Sequence, residues 1–247
     1  MILSRQNQFV KALAELKGKK GRRTRGEYLI EGEKAVSEAV RQRLDISVIL
    51  AATEFYPKYE NSGYTVYEAD RSVIDCCSDE KTPQGVVAAV RMPEVLPFSA
   101  MTDGVCVLLD GVKDPGNVGA IIRTCAALNI GSVVLNECAD VFSPKCVRSS
   151  MCGIYHVKFY SFDKEHNYDS IKNHRVIVAD MDGENVFDLD APKDFCLVLG
   201  SESHGVSEYF KALAYKTVKL PMSERMESLN VAVAGSLIAY QLLKNPL

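Results

Sequence analysis

The first part of the chain alternates helical and extended patterns of apolar residues. Phe9, Leu13 and Leu16 recur at helical spacing, which predicts a short helix over 5–17. After a polar stretch, a strand is predicted at 28–32 and a helix at 33–43. Further short apolar segments follow at 46–52, 64–69, 71–78 and 85–90. This pattern predicts a small α/β unit.

The stretch 92–104 has two prolines and no periodicity, so it is the best candidate for a linker. Beyond it the apolar segments are longer and continuous rather than alternating in polarity, as in strands that helices cover on both faces. These segments lie at 105–111, 132–137, 155–162, 175–180, 195–202 and 217–221. The sequence therefore predicts two α/β domains, 1–97 with the linker and 98–247, the second built on a mainly parallel sheet.

Composition is that of an ordinary globular protein, with 47% hydrophobic and 25% charged residues. Its apolar stretches fall short of the roughly 18–20 residues that span a bilayer, and the basic N-terminal segment does not resemble a secretory signal. The eight cysteines form no CxxC pair, and the four histidines lack metal-ligand spacing. We therefore expect a cytoplasmic protein with reduced cysteines, no membrane partner and no metal.

The net charge of −3 conceals an asymmetry between the two ends of the chain. Residues 1–43 carry eleven Lys or Arg against five Asp or Glu, so the remainder is strongly acidic. A basic run that contains no acid can neutralise RNA phosphates, although a solubilising or disordered loop would have the same composition. The candidate RNA-binding residues are Lys19, Lys20, Arg22, Arg23 and Arg25.

Three strand-to-helix turns of the second domain carry polar residues at the sheet edge where α/β proteins bind ligands: 108–125, 197–207 and 219–243. In the first, Asp114 and Pro115 suit a helix start, and Arg123 points away from the apolar stripe of that helix. A solvated surface arginine is the alternative interpretation. The second turn could be an ordinary loop that ends at a helix N-cap on Ser207. The third opens, at Ser228 or Asn230, a helix that is apolar on nearly all faces and should be buried, partly against another subunit.

Together the three segments resemble a known family. DPGNVGAIIRT, LVLGSESHG and LPMSERMESLNVAVAG, in this order, are similar to the three motifs of the SpoU (TrmH-like) RNA 2′-O-ribose methyltransferases of the SPOUT superfamily. The similarity extends over 104–245. RGEYLIEGEKAVSEAV at 25–40, with TPQGVVAAV at 82–90, resembles the substrate-binding domain of that family, which has a ribosomal-protein-like α/β fold.

The resemblance implies a catalytic domain with a C-terminal trefoil knot, a homodimer, and S-adenosylmethionine as cofactor. It places the cofactor contacts on Leu199, Gly200, Leu220, Met222, Leu229 and Asn230. It places the catalytic arginine on Arg123 and further active-site residues on Asn117, Glu202, Ser228 and Asn230. Two positions depart from the family pattern, because Ser203 and Glu224 stand where glycine is usual.

The function so implied is methylation of a ribose 2′-hydroxyl in RNA. The front domain favours ribosomal RNA, particularly of the large subunit, over transfer RNA. A transfer-RNA 2′-O-methyltransferase is the first alternative. The others are a non-catalytic RNA-binding or ribosome-assembly factor and a methyltransferase of the same fold that acts on another RNA atom. Arg123 could act as the base, or as a stabiliser of phosphate and alkoxide.

Overall fold

The computed structural model describes residues 2, 4–102 and 104–244. Their packing divides the chain into two compact units. The first comprises Met1–Pro93 together with Asp140–Tyr155, and the second comprises Glu94–Ala139 and His156–Leu247. The sequence prediction divided the chain once, at 97. The structure places the break a few residues earlier. In addition, the segment 140–155, the returning segment, packs with the first unit although the chain on either side of it belongs to the second.

The first unit contains six helices and four strands within the described residues. The helices are α1 (Gln8–Glu15), α2 (Lys19–Arg25), α3 (Glu33–Arg41), α4 (Tyr56–Tyr59), α5 (Arg71–Cys77) and, from the returning segment, α7 (Pro144–Ser149). The strands are β1 (Glu27–Glu31), β2 (Ile46–Ala51), β3 (Val66–Glu68) and β4 (Val86–Arg91), in the sheet order β1-β4-β2-β3. β4 is antiparallel to both of its neighbours, whereas β2 and β3 are parallel.

The basic segment after α1 is a helix rather than the loop that the sequence suggested. Gly18 precedes α2, and Gly26, at φ 65°, ends it in the left-handed conformation that glycine adopts without steric cost. Gly21 is needed inside this helix, because a Cβ there would lie 2.1 Å from the carbonyl oxygen of Glu15. The apolar positions of α1 were predicted correctly, since Val10, Leu13 and Leu16 are buried in the core.

The described part of the second unit contains a sheet of seven strands. Every pair of neighbours in it is parallel, which confirms the sheet type predicted from the continuous apolar runs. In sheet order they are β11 (Lys216–Lys219), β9 (Val176–Asn185), β10 (Cys196–Gly200), β6 (Cys106–Asp110), β7 (Ser132–Asn136), β8 (Lys158–Ser161) and β5 (Leu96–Pro97). The helices are α6 (Pro115–Ala127), α8 (Tyr168–Lys172), α9 (Glu208–Ala212) and α10 (Val231–Leu243).

Alternate residues of these strands face opposite helix layers. Leu108 and Val198 join a core cluster with Phe210 of α9 and Ile171 of α8. The next residue, Leu199, faces α10, where a Cβ at Gly235 would lie 2.4 Å from its side chain. Such burial on both faces explains why the strands are apolar throughout.

Part of the predicted linker belongs to the second sheet. Leu96 and Pro97 form β5 and pair with β8, and Phe98 is buried in the same core cluster as Phe162. Proline is tolerated there because β5 lies at the edge of the sheet. Among the described residues, no helix is both long and apolar enough to cross a membrane.

The cysteines pack as small apolar side chains, as their sequence context suggested. Cys77, Cys106, Cys125, Cys146 and Cys196 are buried, and within the described residues none of the eight forms a disulfide. Burial raises the pKa of the Cys125 thiol to about 12, so it stays protonated and unreactive at neutral pH.

Candidate functional site

The sheet of the second unit has a point where the strand order reverses. From β6 the chain proceeds to β7 and β8 on one side, whereas β10, β9 and β11 lie on the other. Ligands of open α/β sheets bind beyond the carboxyl ends of the strands at such a point. The turns after β6 and β10 begin there, and the segment that follows β11 reaches it at Asn230, just before α10.

The start of α6 is fixed by the predicted cap. Asp114 Oδ1 accepts hydrogen bonds from the backbone N–H groups of Gly116, at 2.7 Å, and Asn117, at 3.0 Å. Pro115 occupies the first turn, where its missing N–H costs nothing. These bonds hold Asn117 at the end of the helix that faces the turn after β10.

Three predicted active-site residues form one hydrogen-bonded chain. Asn230 Nδ2 donates to Asn117 Oδ1 at 3.0 Å, and Asn117 Nδ2 donates to Glu202 Oε1. Asn230 Oδ1 also accepts from the N–H groups of Ala232 and Val233, so it caps α10, and of the two helix starts predicted the structure uses this one. Both amides are thereby oriented, and the Glu202 carboxylate lies at the solvent-facing end.

The turn after β10 is closed by its own backbone. Ser201 and Gly205 exchange two N–H to carbonyl bonds of 3.1 and 2.9 Å. A Cβ on Gly200 would lie 2.1 Å from the carbonyl carbon of Gly205, so no larger residue fits without moving the loop. Ser203, which replaces the usual glycine, is exposed and bonds its hydroxyl to His204 Nδ1 at 2.7 Å. Its side chain therefore points away from the closely packed part of the turn.

Sequence reasoning missed the residue that joins these turns. Asp110, at the end of β6, is buried, and its Oδ1 accepts a bond of 2.7 Å from Asn136 Nδ2 at the end of β7. Its Oδ2 accepts a bond of 2.7 Å from the N–H of Ser207, which precedes α9. An acid that closes an apolar strand was the available signal, because a buried carboxylate needs such partners.

A cavity of about 530 Å³ opens beside this network, a volume in the range of small-molecule sites. All six predicted cofactor positions line it: Leu199, Gly200, Leu220, Met222, Leu229 and Asn230. Glu202 and Ser228 of the predicted catalytic set line it too. Ala179, Met181, Val218 and Ile238 extend its apolar wall, and three charged lining residues were not foreseen, namely Asp180, Lys211 and Lys219.

Arg123 does not line this cavity. It lies on α6 and is exposed, as its position opposite the apolar stripe predicted. Its neighbour Thr124 shares a hydrogen bond of 2.7 Å with Ser236 of α10. Within the chain, therefore, Glu202, Ser228 and Asn230 of the catalytic set line the cavity, and Asn117 is hydrogen-bonded to two of them. Arg123 lies on the surface of the adjoining helix.

The basic residues of the first unit are not equivalent. Arg22 is only 3% exposed. Its Nη1 donates bonds of 2.8 Å to the carbonyls of Leu16 and Lys17, and its Nη2 pairs with Asp140 at 2.7 Å. The prediction that Arg22 contacts RNA is therefore corrected, because its guanidinium ends α1 and holds the returning segment instead. The other four basic residues predicted to bind RNA remain exposed, and they are Lys19, Lys20, Arg23 and Arg25.

For the portion of the chain that the structure describes, no group of three or more His, Cys, Asp or Glu side chains could hold a metal ion. The features of the second unit are those of an α/β enzyme domain. It has a parallel sheet with a reversal of strand order, a ligand-sized cavity, and oriented polar side chains at the rim of that cavity.

Comparison with known proteins identifies the class. The model of the SpoU rRNA Methylase family matches residues 104–240, and that of the MRM3-like substrate binding domain matches residues 7–88. The chain belongs to the SpoU rRNA methylase family.

Two curated relatives match nearly the whole chain. The 23S rRNA (guanosine(2553)-2′-O)-methyltransferase RlmP of Bacillus subtilis is 31% identical and covers 98% of both chains. The 23S rRNA (uridine(2479)-2′-O)-methyltransferase of Streptomyces viridochromogenes is 29% identical, over 98% of this chain and 91% of that one.

Solved structures show the same architecture. The AdoMet-bound rRNA methyltransferase from Sinorhizobium meliloti superposes with a TM-score of 0.89 at 25% identity, over 98% of this chain and 97% of that one. The SpoU methyltransferase AviRb from Streptomyces viridochromogenes in complex with AdoMet gives 0.86 at 25% identity, over 97% and 98%.

Proposed function

We propose that this protein transfers a methyl group from S-adenosylmethionine to a ribose 2′-hydroxyl of large-subunit ribosomal RNA. The observation that carries the proposal is the hydrogen-bonded chain of Asn230, Asn117 and Glu202 at the rim of a cavity lined by all six expected cofactor positions. Full-length relatives from two bacteria are named as 23S rRNA 2′-O-methyltransferases, one acting on a guanosine and one on a uridine. These relatives support large-subunit rRNA as the substrate and the ribose 2′-oxygen as the methylated atom. They do not indicate which nucleotide is methylated, because their own target nucleotides differ.

The cavity suits this cofactor in size and in chemistry. Its apolar wall can take the adenine ring, and its polar rim lies on the side of Glu202 and Asn230. S-adenosylmethionine supplies an electrophilic methyl group. The protein has to align the ribose hydroxyl with that group and accept the hydroxyl proton.

We propose that Glu202 accepts the proton of the ribose 2′-hydroxyl. A free guanidinium keeps its proton near neutral pH, whereas an ionised carboxylate accepts one readily. The amide of Asn117 orients the Glu202 carboxylate, and Asn230 orients Asn117. Arg123 then holds the neighbouring phosphate by a bidentate contact and stabilises the developing alkoxide.

The surface of α10 beside this site suits contact with a second copy of the chain. On α10, Val233, Leu237 and Tyr240 form an exposed apolar stripe, and Tyr240 is 63% exposed. Leu229, which is also exposed, lies just before the start of α10 and lines the cavity. Apolar side chains spaced along one helix face in this way fit another subunit, and we propose a homodimer whose interface lies beside Arg123. Sedimentation of wild type and Leu237→Glu checks this, with a dimer and a monomer expected. A monomeric wild type would contradict it.

The first unit is proposed to dock the RNA through the exposed face of α2. Its cations Lys19, Lys20, Arg23 and Arg25 are free of the structural bonds that hold Arg22, apart from the contact of 3.5 Å between Arg25 and Glu27. Structured RNA is recognised largely through its shape and phosphates, which suits such a surface. The C-terminal trefoil knot of the family is likewise proposed for the second unit.

The decisive experiment is methyl transfer to purified RNA, with ribose methylation mapped on the product. Wild type is expected to modify large-subunit rRNA. Arg123→Ala should bind cofactor normally and lose about 10²–10³ in rate, the loss typical of a charge-stabilising group. Full activity of Arg123→Ala would contradict its role.

Transfer RNA is the alternative substrate to include. A solved structure that concerns the 2-OH methylation of C/U34 on tRNA matches the fold over only 57% of this chain, whereas the two rRNA methyltransferases match 98% of it in sequence. Methylation of tRNA but not of rRNA would overturn the choice of substrate. Cofactor binding without methylation of either RNA would favour a non-catalytic assembly factor.

A further inference from the structure

One part of the cavity wall has no role in the mechanism above. Asp180, near the middle of β9, pairs with Lys211 of α9, and the distance from Oδ2 to Nζ is 2.8 Å. Both residues line the cavity. Their side chains are 15% and 35% exposed, so the pair is partly desolvated but still open to a ligand.

Both members of the pair are charged. Burial acts to raise the pKa of Asp180, but the hydrogen bond from Lys211 and the backbone N–H of Asp182 outweigh it, and the pKa lies below its usual value. The hydrogen bond to Asp180 raises the pKa of Lys211. Glu208, 3.6 Å from Lys211 Nζ, is almost fully exposed and lies outside the cavity lining.

The pair is also separated from the reacting groups. In the sheet, β10 lies between β9 and β6. Asp180 is on β9, Glu202 follows β10, and Asn117 follows β6. The sheet therefore places the Asp180–Lys211 pair and Asn117 on different sides of the turn after β10. A ligand that presents its reactive centre to Glu202 can extend a second polar group to this pair.

We propose that Asp180 and Lys211 bind the amino acid end of S-adenosylmethionine, with the ammonium on Asp180 and the carboxylate on Lys211. This rests on the cofactor of the proposed function and names residues that hold one part of it. When the ammonium and the carboxylate of the ligand bind to Asp180 and Lys211, positive and negative charges alternate among the four groups. Each side chain therefore keeps an opposite charge beside it in a partly buried site. The adenine and ribose are uncharged and could not compensate for separating the pair.

Two ligands isolate this contact. S-adenosylhomocysteine and 5′-methylthioadenosine are both thioethers with the same adenosine, but only the first carries the amino acid group. Calorimetry should measure the Kd of both for wild type, Asp180→Asn and Lys211→Met. Each variant is expected to bind S-adenosylhomocysteine about tenfold more weakly, the loss of one charged hydrogen bond, with methylthioadenosine unchanged within about twofold.

The chain offers a matched control. Lys216 and Glu184 form an ion pair of 2.9 Å in the same unit, outside the cavity lining. Lys216→Met and Glu184→Gln make the same charge changes and should leave both Kd values unchanged.

The outcomes separate the possibilities. If Asp180→Asn and Lys211→Met weaken the binding of both ligands equally, the inference is overturned, because the pair would then hold the adenosine part or the cavity wall. Unchanged binding of both ligands would overturn it as well. If wild type binds neither ligand, the proposed function itself fails, and this failure is distinct from wild-type binding that the variants do not alter.

Discussion

The two units use the same kinds of polar side chain in opposite ways. In the first unit, Arg22 and Glu31 are buried, and each has several partners that fix the chain path. In the second, Glu202 and Asn230 are exposed and Asn117 is half-buried, and the three are hydrogen-bonded to one another at the edge of a cavity. Residue type and local sequence do not distinguish the two cases, whereas burial and partner geometry do.

The consequence is clearest within α2. Arg22 and Arg23 are adjacent in a uniformly basic run, yet one is buried against carbonyls and a carboxylate and the other is exposed. A structural charge should affect stability, and an exposed charge at a site should affect binding or rate.

The largest effect on stability is expected from Arg22→Met. Removing the buried guanidinium takes the ion-pair partner from the partly buried Asp140 and the donor from two carbonyls, and we expect this to cost about 3 kcal/mol. Urea unfolding should show this, while methylation per folded molecule stays near wild type. A stable Arg22→Met protein that no longer binds RNA would reverse the assignment.

Asn117→Ala should show the opposite behaviour. The change releases the Glu202 carboxylate from its orienting amide, and we expect the methyl-transfer rate to fall about 100-fold. Because the side-chain bonds of the half-buried Asn117 go to the exposed residues Glu202 and Asn230, the free energy of unfolding should change by no more than about 1 kcal/mol. Single-turnover kinetics and urea unfolding measure the two quantities. A large loss of stability would place Asn117 with the structural residues.

Glu31 tests the comparison through pH. Burial raises the pKa of this carboxyl from its ordinary value of 4.5, despite bonds from Ser78 and Asp79 and the charge of Arg148. The stability linked to this group is therefore fully present below pH 4.5 and is lost as the pH rises through the raised pKa. Glu31→Gln removes this titration.

Urea unfolding of wild type and Glu31→Gln as a function of pH measures that contribution. The stability of wild type relative to the variant should decrease from acid to neutral pH. Glu60→Gln, at an exposed position of the same unit, is the control. A difference that grows with pH would mean that Glu31 is held ionised in the fold.

The smallest effect is expected from Arg23→Met. Stability should stay within about 0.5 kcal/mol of wild type, because the side chain is exposed. RNA affinity should fall, and the slope of log K against log salt should decrease in magnitude by about one, as for loss of one phosphate contact. Filter binding over a range of salt concentrations measures the slope. An unchanged slope would exclude Arg23 from the RNA surface.

Much of the second unit could be predicted from sequence, because parallel strands buried on both faces are continuous apolar runs. The motif turns gave the positions Leu199, Gly200 and Asn230 that the structure brings to one cavity. Asp180 and Lys211 were not predicted, since each is an ordinary charged residue locally and they meet through tertiary packing of β9 against α9.

The first unit was less predictable for a similar reason. The side-chain pattern around Arg22 does not mark it as buried, because its acidic partner, Asp140, is 118 residues further along the chain. Pro144, Cys146 and Val147 of α7 likewise pack with a unit whose other elements end before residue 94. Sequence periodicity indicates that such a helix is half-buried, but not which core it joins.

The returning segment also constrains the order in which the protein can fold during synthesis. When residue 93 leaves the ribosome, the first unit lacks α7 and the carboxylate that neutralises Arg22. It can be completed only after residue 155 has emerged, by which time β6 and β7 of the second unit have also been made. The N-terminal unit therefore cannot finish folding until part of the second unit has been synthesised.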